Sequence, residues 1–319
     1  MRELTIREML ETYGRLLGLK LLAGEKGLHR TINSSDTHRP GLALTGFVEL
    51  FTLDQVQLLG NEEIEYLRSL SPERRRQALD IIYQFNIPCV VLTGRGRVQA
   101  ELRQLAEEFS VPLLKSDFNT SKFTHLIHFY LDDVFAPQLS VHGTLVDVDG
   151  VGLLFRGRSG IGKSEVGLDL VERGHRLVAD DVVIITRKAQ GILVGHSPEI
   201  LQDHMEIRGL GIMDVKKMFG VRGTRKQKRV EVLVNLVDWD EKFAYERVGL
   251  EDKKAIFLGV EVPEVFIPLF PGKNITVIAE TIAMDYLLRL DGHHAAHKFN
   301  RRLIQKIKKN RDSNILPEK

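Results

Sequence analysis

Residues 157–164 read Gly-Arg-Ser-Gly-Ile-Gly-Lys-Ser, the spacing of a Walker A phosphate loop. Gly157, Gly160 and Gly162 free the backbone to curl so that successive N–H groups converge on phosphate oxygens. Lys163 supplies a point charge for β- and γ-phosphates, and the Ser164 hydroxyl is suited to ligate Mg²⁺. Arg158, Ser159 and Ile161 complete the cradle. The apolar run Val151-Gly-Leu-Leu-Phe155 predicts a strand before the loop. Ser164–Arg173 predicts a short helix after it, stopped by Gly174. A helix there adds its positive end to the field. A glycine-rich turn would share the composition, but the full spacing between a strand and a helix points to a nucleoside triphosphate.

Two further stretches carry groups that such a phosphate could need. In Arg176-Leu-Val-Ala-Asp-Asp-Val-Val-Ile-Ile185, adjacent carboxylates at Asp180 and Asp181 interrupt an apolar run. As neighbours on one predicted strand they would point to opposite faces and so do different work. In phosphate-loop enzymes such an acid holds the metal or receives the proton of the attacking hydroxyl. In Met205-Glu-Ile-Arg-Gly-Leu-Gly-Ile-Met-Asp214, Glu206 could ligate a metal and Arg208 clamp a phosphate, with two close glycines beside them. By spacing alone, a surface turn would look the same.

A length of 319 residues favours two domains over one. A composition 43% hydrophobic and 28% charged fits a globular protein, and a net charge of +2 requires no nucleic-acid partner. The charge is uneven. Residues 215–230 hold Lys216, Lys217, Arg222, Arg225, Lys226, Lys228 and Arg229 with no acid, and the run from Lys298 to Arg311 is similarly basic. Each is either a solvated face or a dock for an acidic or phosphorylated partner. Cys89 is the sole cysteine, in a buried-strand pattern, so it reads as a core residue. No apolar stretch approaches a membrane span and the N-terminus has no signal core, so a cytoplasmic location is expected.

The first ~130 residues alternate helix and strand patterns. Thr5 is expected to cap a helix over 6–13 and Asn61 one over 62–67, and Ser71-Pro72 opens a third toward Phe85. A strand at 89–93, a helix at 99–109 and a strand at 111–114 predict a parallel βαβ unit, followed by a helix over 121–131. The boundary is expected near Leu131–Pro137. Beyond it, strands are predicted at 138–148, 150–155, 176–185 and 230–237, with helices at 276–290 and 300–309.

The phosphate loop, the run Gly174-His-Arg-Leu-Val-Ala-Asp-Asp-Val182 and the run Met205–Asp214 together resemble the HPr kinase/phosphorylase family, and His38-Arg-Pro-Gly-Leu-Ala-Leu-Thr-Gly-Phe47 resembles its first domain. The resemblance implies an α/β protein of two domains. Residues 1–131 would form an N-terminal α/β domain, and residues 132–319 a C-terminal P-loop kinase core resembling phosphoenolpyruvate carboxykinase. It implies ATP-dependent phosphorylation of a serine of the phosphocarrier HPr. It also implies removal of that phosphate by inorganic phosphate, with release of pyrophosphate. Catalytic roles would fall to His142, Lys163, Asp181 and Arg247, and Mg²⁺ would be held by Ser164 and Glu206. Pro268-Leu-Phe-Pro-Gly-Lys273 resembles the loop tied to dephosphorylation, where Lys273 would offer charge. A homo-hexamer is implied, with no nucleic acid and no membrane as partners. By residue type alone, His142 is a strand-end histidine, Arg247 a surface arginine, and the cluster His293, His294 and His297 a solvated face. A nucleotide-sensing module or a small-molecule kinase are the rival readings; the Asp180–Asp181 pair and Glu206 favour phosphoryl transfer.

Overall fold

The computed structural model describes residues 3–94, 99–239, 253–270, 272–293, 302 and 304–305. The chain divides into two compact units, Met1–Ala136 and Pro137–Lys319.

The first unit runs β1 (Leu4–Thr5), α1 (Ile6–Tyr13), β2 (Leu19–Ala23), β3 (Thr31–Ile32), β4 (Thr37–His38), β5 (Val56–Leu59), α2 (Asn61–Ser69), α3 (Pro72–Tyr83), β6 (Val90–Thr93), α4 (Ala100–Glu108), β7 (Leu113–Ser116) and α5 (Thr120–Val134). Its five-stranded sheet has the order β2-β7-β6-β5-β4, parallel except for β2 at the edge. Both faces are covered, so successive strand residues enter different cores. Leu59 packs with Leu79, Ile82 and Leu105, whereas Leu58 packs with Met9, Phe123 and Ile127. Helix α1 starts where its sequence says. Thr5 Oγ1 accepts from Glu8 N–H at 3.1 Å, and Glu8 Oε2 accepts from Thr5 N–H at 3.0 Å. Most expected boundaries move by one to three residues, and two of these shifts have a clear local cause. Gly60, not Asn61, caps α2. The strand expected from Val111 begins at Leu113, because Val111 N–H closes the turn after α4 on Ala106 O, with Ser110 at φ +49°.

The second unit runs β8 (Gln138–His142), β9 (Thr144–Val148), β10 (Val151–Arg156), α6 (Lys163–Glu172), β11 (Arg176–Ala179), β12 (Val182–Lys188), β13 (Ile192–His196), β14 (His204–Ile207), β15 (Gly211–Asp214), α7 (Val215–Phe219), β16 (Gln227–Arg229), β17 (Val232–Asp238), β18 (Lys254–Phe257), β19 (Val260–Leu269) and α8 (Ile275–Leu290). One six-stranded sheet has the order β11-β9-β10-β17-β19-β18, with β10, β17 and β19 parallel. A four-stranded antiparallel sheet has the order β16-β13-β12-β8. Leu153 and Phe155 join α6 and α8 residues in one core, while Leu154 meets Val183 and Ile185 of the other sheet in a second.

Two expected strands are each broken in two. The run 176–185 is β11 in the six-stranded sheet and β12 in the four-stranded one, and 138–148 divides likewise into β8 and β9. Both breaks fall at the same place. Gly143 N–H donates to Asp181 O at 3.0 Å, so two neighbouring chains cross together from one sheet to the other. Of the helix expected over 300–309, the described residues 302, 304 and 305 are helical.

Candidate active site

The phosphate loop leaves the C-terminal end of β10 with positive φ at Gly157, Gly160 and Gly162 (155°, 74° and 104°). Close approach adds to this at Gly157, where the obstacle is backbone, whereas at Gly160 it is the movable end of a side chain. A Cβ at Gly157 would lie 2.6 Å from Leu236 O, and one at Gly160 only 2.5 Å from Arg208 Nη1. Helix α6 begins at Lys163 with no side chain capping its N-terminus, so its first N–H groups face the cradle without an acceptor from the chain's own side chains. Lys163 is 6% exposed, and its Nζ donates to Gly157 O at 3.3 Å and Arg158 O at 3.1 Å. Burial lowers its pKa, opposed by the charges of Asp180 and Asp181. Arg158 forks onto Asp238 at the end of β17, at 2.7 and 2.8 Å.

The sheet crossover places two carboxylates beside this loop. Asp180 is 3% exposed. Its Oδ1 accepts from Thr144 Oγ1 at 2.6 Å and Ser164 Oγ at 3.0 Å, and its Oδ2 accepts from Glu206 N–H at 3.3 Å. Burial raises its pKa, and the Thr144 and Ser164 hydrogen bonds oppose that shift. Asp181 stands at φ +65°, and its half-exposed carboxylate has Oδ1 3.0 Å from His142 Nδ1. The two aspartates therefore face differently, as expected, but not through strand alternation. A left-handed residue at the crossover turns one in and the other out.

The hairpin β14–β15 brings the third stretch to the same place. Glu206 is tied by its backbone to Asp180 while its side chain is exposed, and the Arg208 guanidinium lies over Gly160. The donor set fits Mg²⁺. Ser164 directs its proton to Asp180, which leaves oxygen lone pairs for a cation, and Glu206 offers a carboxylate. Among the described residues no group of three or more His, Cys, Asp or Glu could hold a metal. Such an ion would take further oxygens from phosphates and water, as Mg²⁺ commonly does.

His142, Lys163, Ser164, Asp180, Asp181, Glu206 and Arg208 are thus brought together. Arg247 lies outside the described residues, as do Pro271, His294, His297 and most of the basic run 298–311. Lys273 is not a free phosphate ligand here. Its Nζ donates to Pro268 O at 3.1 Å, 5.1 Å over the Phe270 ring, and burial lowers its pKa. Phe270 in turn packs edge-on against Trp239. Much of the 215–230 basic run is paired: Lys216 with Asp203, Lys217 with Asp214, Arg225 with Asp147 and Lys228 with Glu231. Thr144 and Asp238 escaped the sequence reading, since each looks like an ordinary strand residue until the loop is set beside it.

The sequence matches the family model described as HPr Serine kinase N terminus over residues 4–131, and that described as HPr Serine kinase C-terminal domain over residues 133–303. A relative from Chloroherpeton thalassium, named HPr kinase/phosphorylase, is 50% identical over 87% of this chain and 82% of its own length. One of the same name from Prosthecochloris aestuarii is 44% identical over 97% and 90%. A solved structure, the Hpr(Ser) kinase/phosphatase from Coxiella burnetii, is 33% identical, covering 50% of this chain and 98% of that one, with a TM-score of 0.45. With both domain models matched in order and relatives similar over most of its length, this chain belongs to the HPr serine kinase family.

Proposed function

We propose that this chain transfers the γ-phosphoryl group of ATP to a serine of HPr, and that it also removes the group from phosphoseryl-HPr by attack of inorganic phosphate, releasing pyrophosphate. The observation that carries the reading is the crossover itself. It sets an outward carboxylate, Asp181, beside a phosphate loop whose Ser164 is already oriented by an inward carboxylate, Asp180. A nucleotide sensor has no need of the second acid.

Lys163 and the loop amides bind the β- and γ-phosphates and stabilise charge on the transferring oxygens. Asp181 receives the proton of the serine hydroxyl as its oxygen bonds to phosphorus and the bond to ADP breaks. In the reverse reaction an oxygen of inorganic phosphate bonds to phosphorus, the seryl O–P bond breaks, and Asp181 returns a proton to the serine. His142 orients the Asp181 carboxylate. Mg²⁺, held by Ser164 and Glu206, would supply charge neutralisation on the phosphates. Arg247 is assigned to the transferring group from the family resemblance. In this reading residues 1–131 form the accessory domain and 132–319 the catalytic one. The assembly is a cytoplasmic homo-hexamer with no nucleic-acid or membrane partner. No helix among the described residues is long and apolar enough to cross a membrane.

Incubation with labelled ATP and purified HPr tests this directly. The expected result is phosphoserine on HPr, then pyrophosphate when phosphoseryl-HPr and inorganic phosphate are supplied. ATP binding with no transfer would favour a sensor instead, and transfer confined to small hydroxyl compounds would favour a small-molecule kinase.

A further inference from the structure

The phosphate chemistry gives no task to Thr144, yet this residue is bonded to the acid at the centre of the site. The Asp180 carboxylate takes donors from four segments: Thr144 of β9, Ser164 of α6, Glu206 of β14 and the Asp181 N–H at the crossover. Both hydroxyls meet the same oxygen, Oδ1, Thr144 at 2.6 Å and Ser164 at 3.0 Å. A hydroxyl carries one proton and a carboxylate only accepts, so each directs its proton to Asp180. The Thr144 contact is the shorter, as a strong charge-assisted bond is.

Thr144 is itself held fast. It is fully buried, it lies opposite Phe155 in the β9–β10 pairing, and the N–H of the preceding Gly143 donates to Asp181 O. Its methyl stands where a Cβ on Gly167 would come within 2.9 Å, so it packs on α6 one turn beyond Ser164. A β-branched side chain has few rotamers, and with the methyl on Gly167 the hydroxyl meets Asp180. A threonine buried for stability alone needs one acceptor, which any carbonyl supplies. Here the acceptor is the acid that also orients Ser164. We infer that Thr144 is a positioning residue for the metal centre: its hydroxyl fixes the Asp180 carboxylate so that Ser164 gives its proton to Asp180 and keeps its lone pairs for the cation. Without that bond Oδ1 keeps one hydroxyl instead of two, and the carboxylate is free to turn away from Ser164. The inference rests on the assignment of Ser164 and Glu206 to Mg²⁺ above and adds the buried group that makes Ser164 a ligand.

The test compares full-length wild type, T144V and T144S, with Mn²⁺ as the probe and a non-hydrolysable ATP analogue present, the free ion being read by electron paramagnetic resonance. T144V keeps the shape but has no proton to give, so its Mn²⁺ dissociation constant should rise about tenfold or more, the scale for losing a partner one step behind a metal ligand. T144S keeps the hydroxyl and should bind Mn²⁺ close to wild type. With the metal chelated, all three should bind the analogue equally. The Mg²⁺ concentration for half-maximal HPr phosphorylation should follow the Mn²⁺ constant, while KM for HPr stays unchanged. Because Thr144 acts through Ser164, T144V/S164A should bind Mn²⁺ as S164A alone does, whereas a purely structural threonine would cost the same in either background. Should T144V not fold, T144A read against T144S gives the same contrast. Unchanged Mn²⁺ affinity in T144V, an equal loss in T144S, or a further loss on top of S164A overturns the role of Thr144 and leaves the metal assignment standing. Failure of wild type to bind Mn²⁺ with the analogue sinks the metal assignment, and this inference with it.

Discussion

Each unit contains a buried parallel strand that ends in glycine and leads into a helix, yet the two turns are finished in opposite ways. In the first unit a single residue, Gly60, separates β5 from α2. Its N–H donates to Glu63 Oε2 at 2.9 Å, and Thr120 Oγ1 would lie 2.5 Å from any Cβ there. Glu63 is 5% exposed and is also bound by Arg39, at 3.1 Å from Nε and 3.0 Å from Nη2. The positive end of α2 is thus closed by a carboxylate of the chain itself. In the second unit the turn between β10 and α6 spans residues 157–162 and no side chain caps the helix. The nearest buried acid, Asp180, binds the Ser164 hydroxyl instead. A strand–glycine–helix turn is therefore not in itself a phosphate site. It becomes one when the chain leaves the amides for an external anion and adds a lysine.

The comparison breaks most visibly at Lys163. Lys163→Ala should lower both HPr phosphorylation and pyrophosphate release about 10³-fold or more, because the transferring oxygens lose their nearest cation. Near-normal phosphorylation by this variant would refute the contrast between the open and the closed turn.

Asp181→Asn keeps the shape at the crossover but removes the proton acceptor. Transfer should fall about 10²- to 10³-fold while ATP binding, measured by titration calorimetry, persists. A normal rate would shift the base to Asp180. That residue is poorly placed for the task, since its oxygens already accept from Thr144, Ser164 and Glu206.

The closed turn is tested through Glu63. Glu63→Ala leaves the Gly60 N–H and Arg39 without their acceptor, and the unfolding free energy should drop by about 1–3 kcal/mol. Denaturant melts would measure this, and HPr phosphorylation well below the midpoint should be unchanged. Inorganic phosphate binding gained by this variant in the first unit would mean that capping alone decides the outcome, without a lysine.

The smallest effect concerns the far end of α6. Arg173 forks onto Glu280 of α8 at 2.7 and 2.8 Å, and His175 adds a contact at 3.1 Å. The Arg173 hydrogen bond, aided by His175, holds the Glu280 carboxyl below its ordinary pKa of 4.5. The contribution to stability is therefore present above that pH and lost as pH falls through the lowered folded value. Arg173 is half-exposed, so the gain is modest. Glu280→Gln should melt slightly earlier than wild type at pH 7 and converge with it under acid. An equal gap at both pH values would show that the carboxylate charge is not what anchors the helix.

Local signals were legible where a few adjacent residues decide the outcome. The Thr5–Glu8 capping box, the proline at the start of α3 and the spacing of the phosphate loop each act within a few residues, so reading them needs no knowledge of distant contacts. Boundaries slipped where one local hydrogen bond decided them: the turn after α4 takes the Val111 N–H, and the Glu63 carboxylate closes α2 one residue before Asn61, on Gly60. The larger miss was the run 176–185. An apolar stretch looks the same whether it stays in one sheet or passes between two, because both courses bury the same side chains.

The sequence by itself determined the phosphate loop, the presence of an acid pair after it and the division into two α/β units, because these rest on backbone conformational preference and hydrophobic period. Only the tertiary structure decided which acid faces which way, that Thr144 and Ser164 share Asp180, that Arg208 lies over Gly160, and that Lys273 is braced on Pro268 rather than held ready for an anion. Whereas the Lys273 contact is made within the turn that follows β19, the first three depend on segments distant in sequence meeting beside the crossover between two sheets. Burial there makes every polar partner matter, since an unpaired buried donor or acceptor is costly. Residue types can announce the chemistry, but the pairing that assigns each group its task is set by which chains the fold lays side by side.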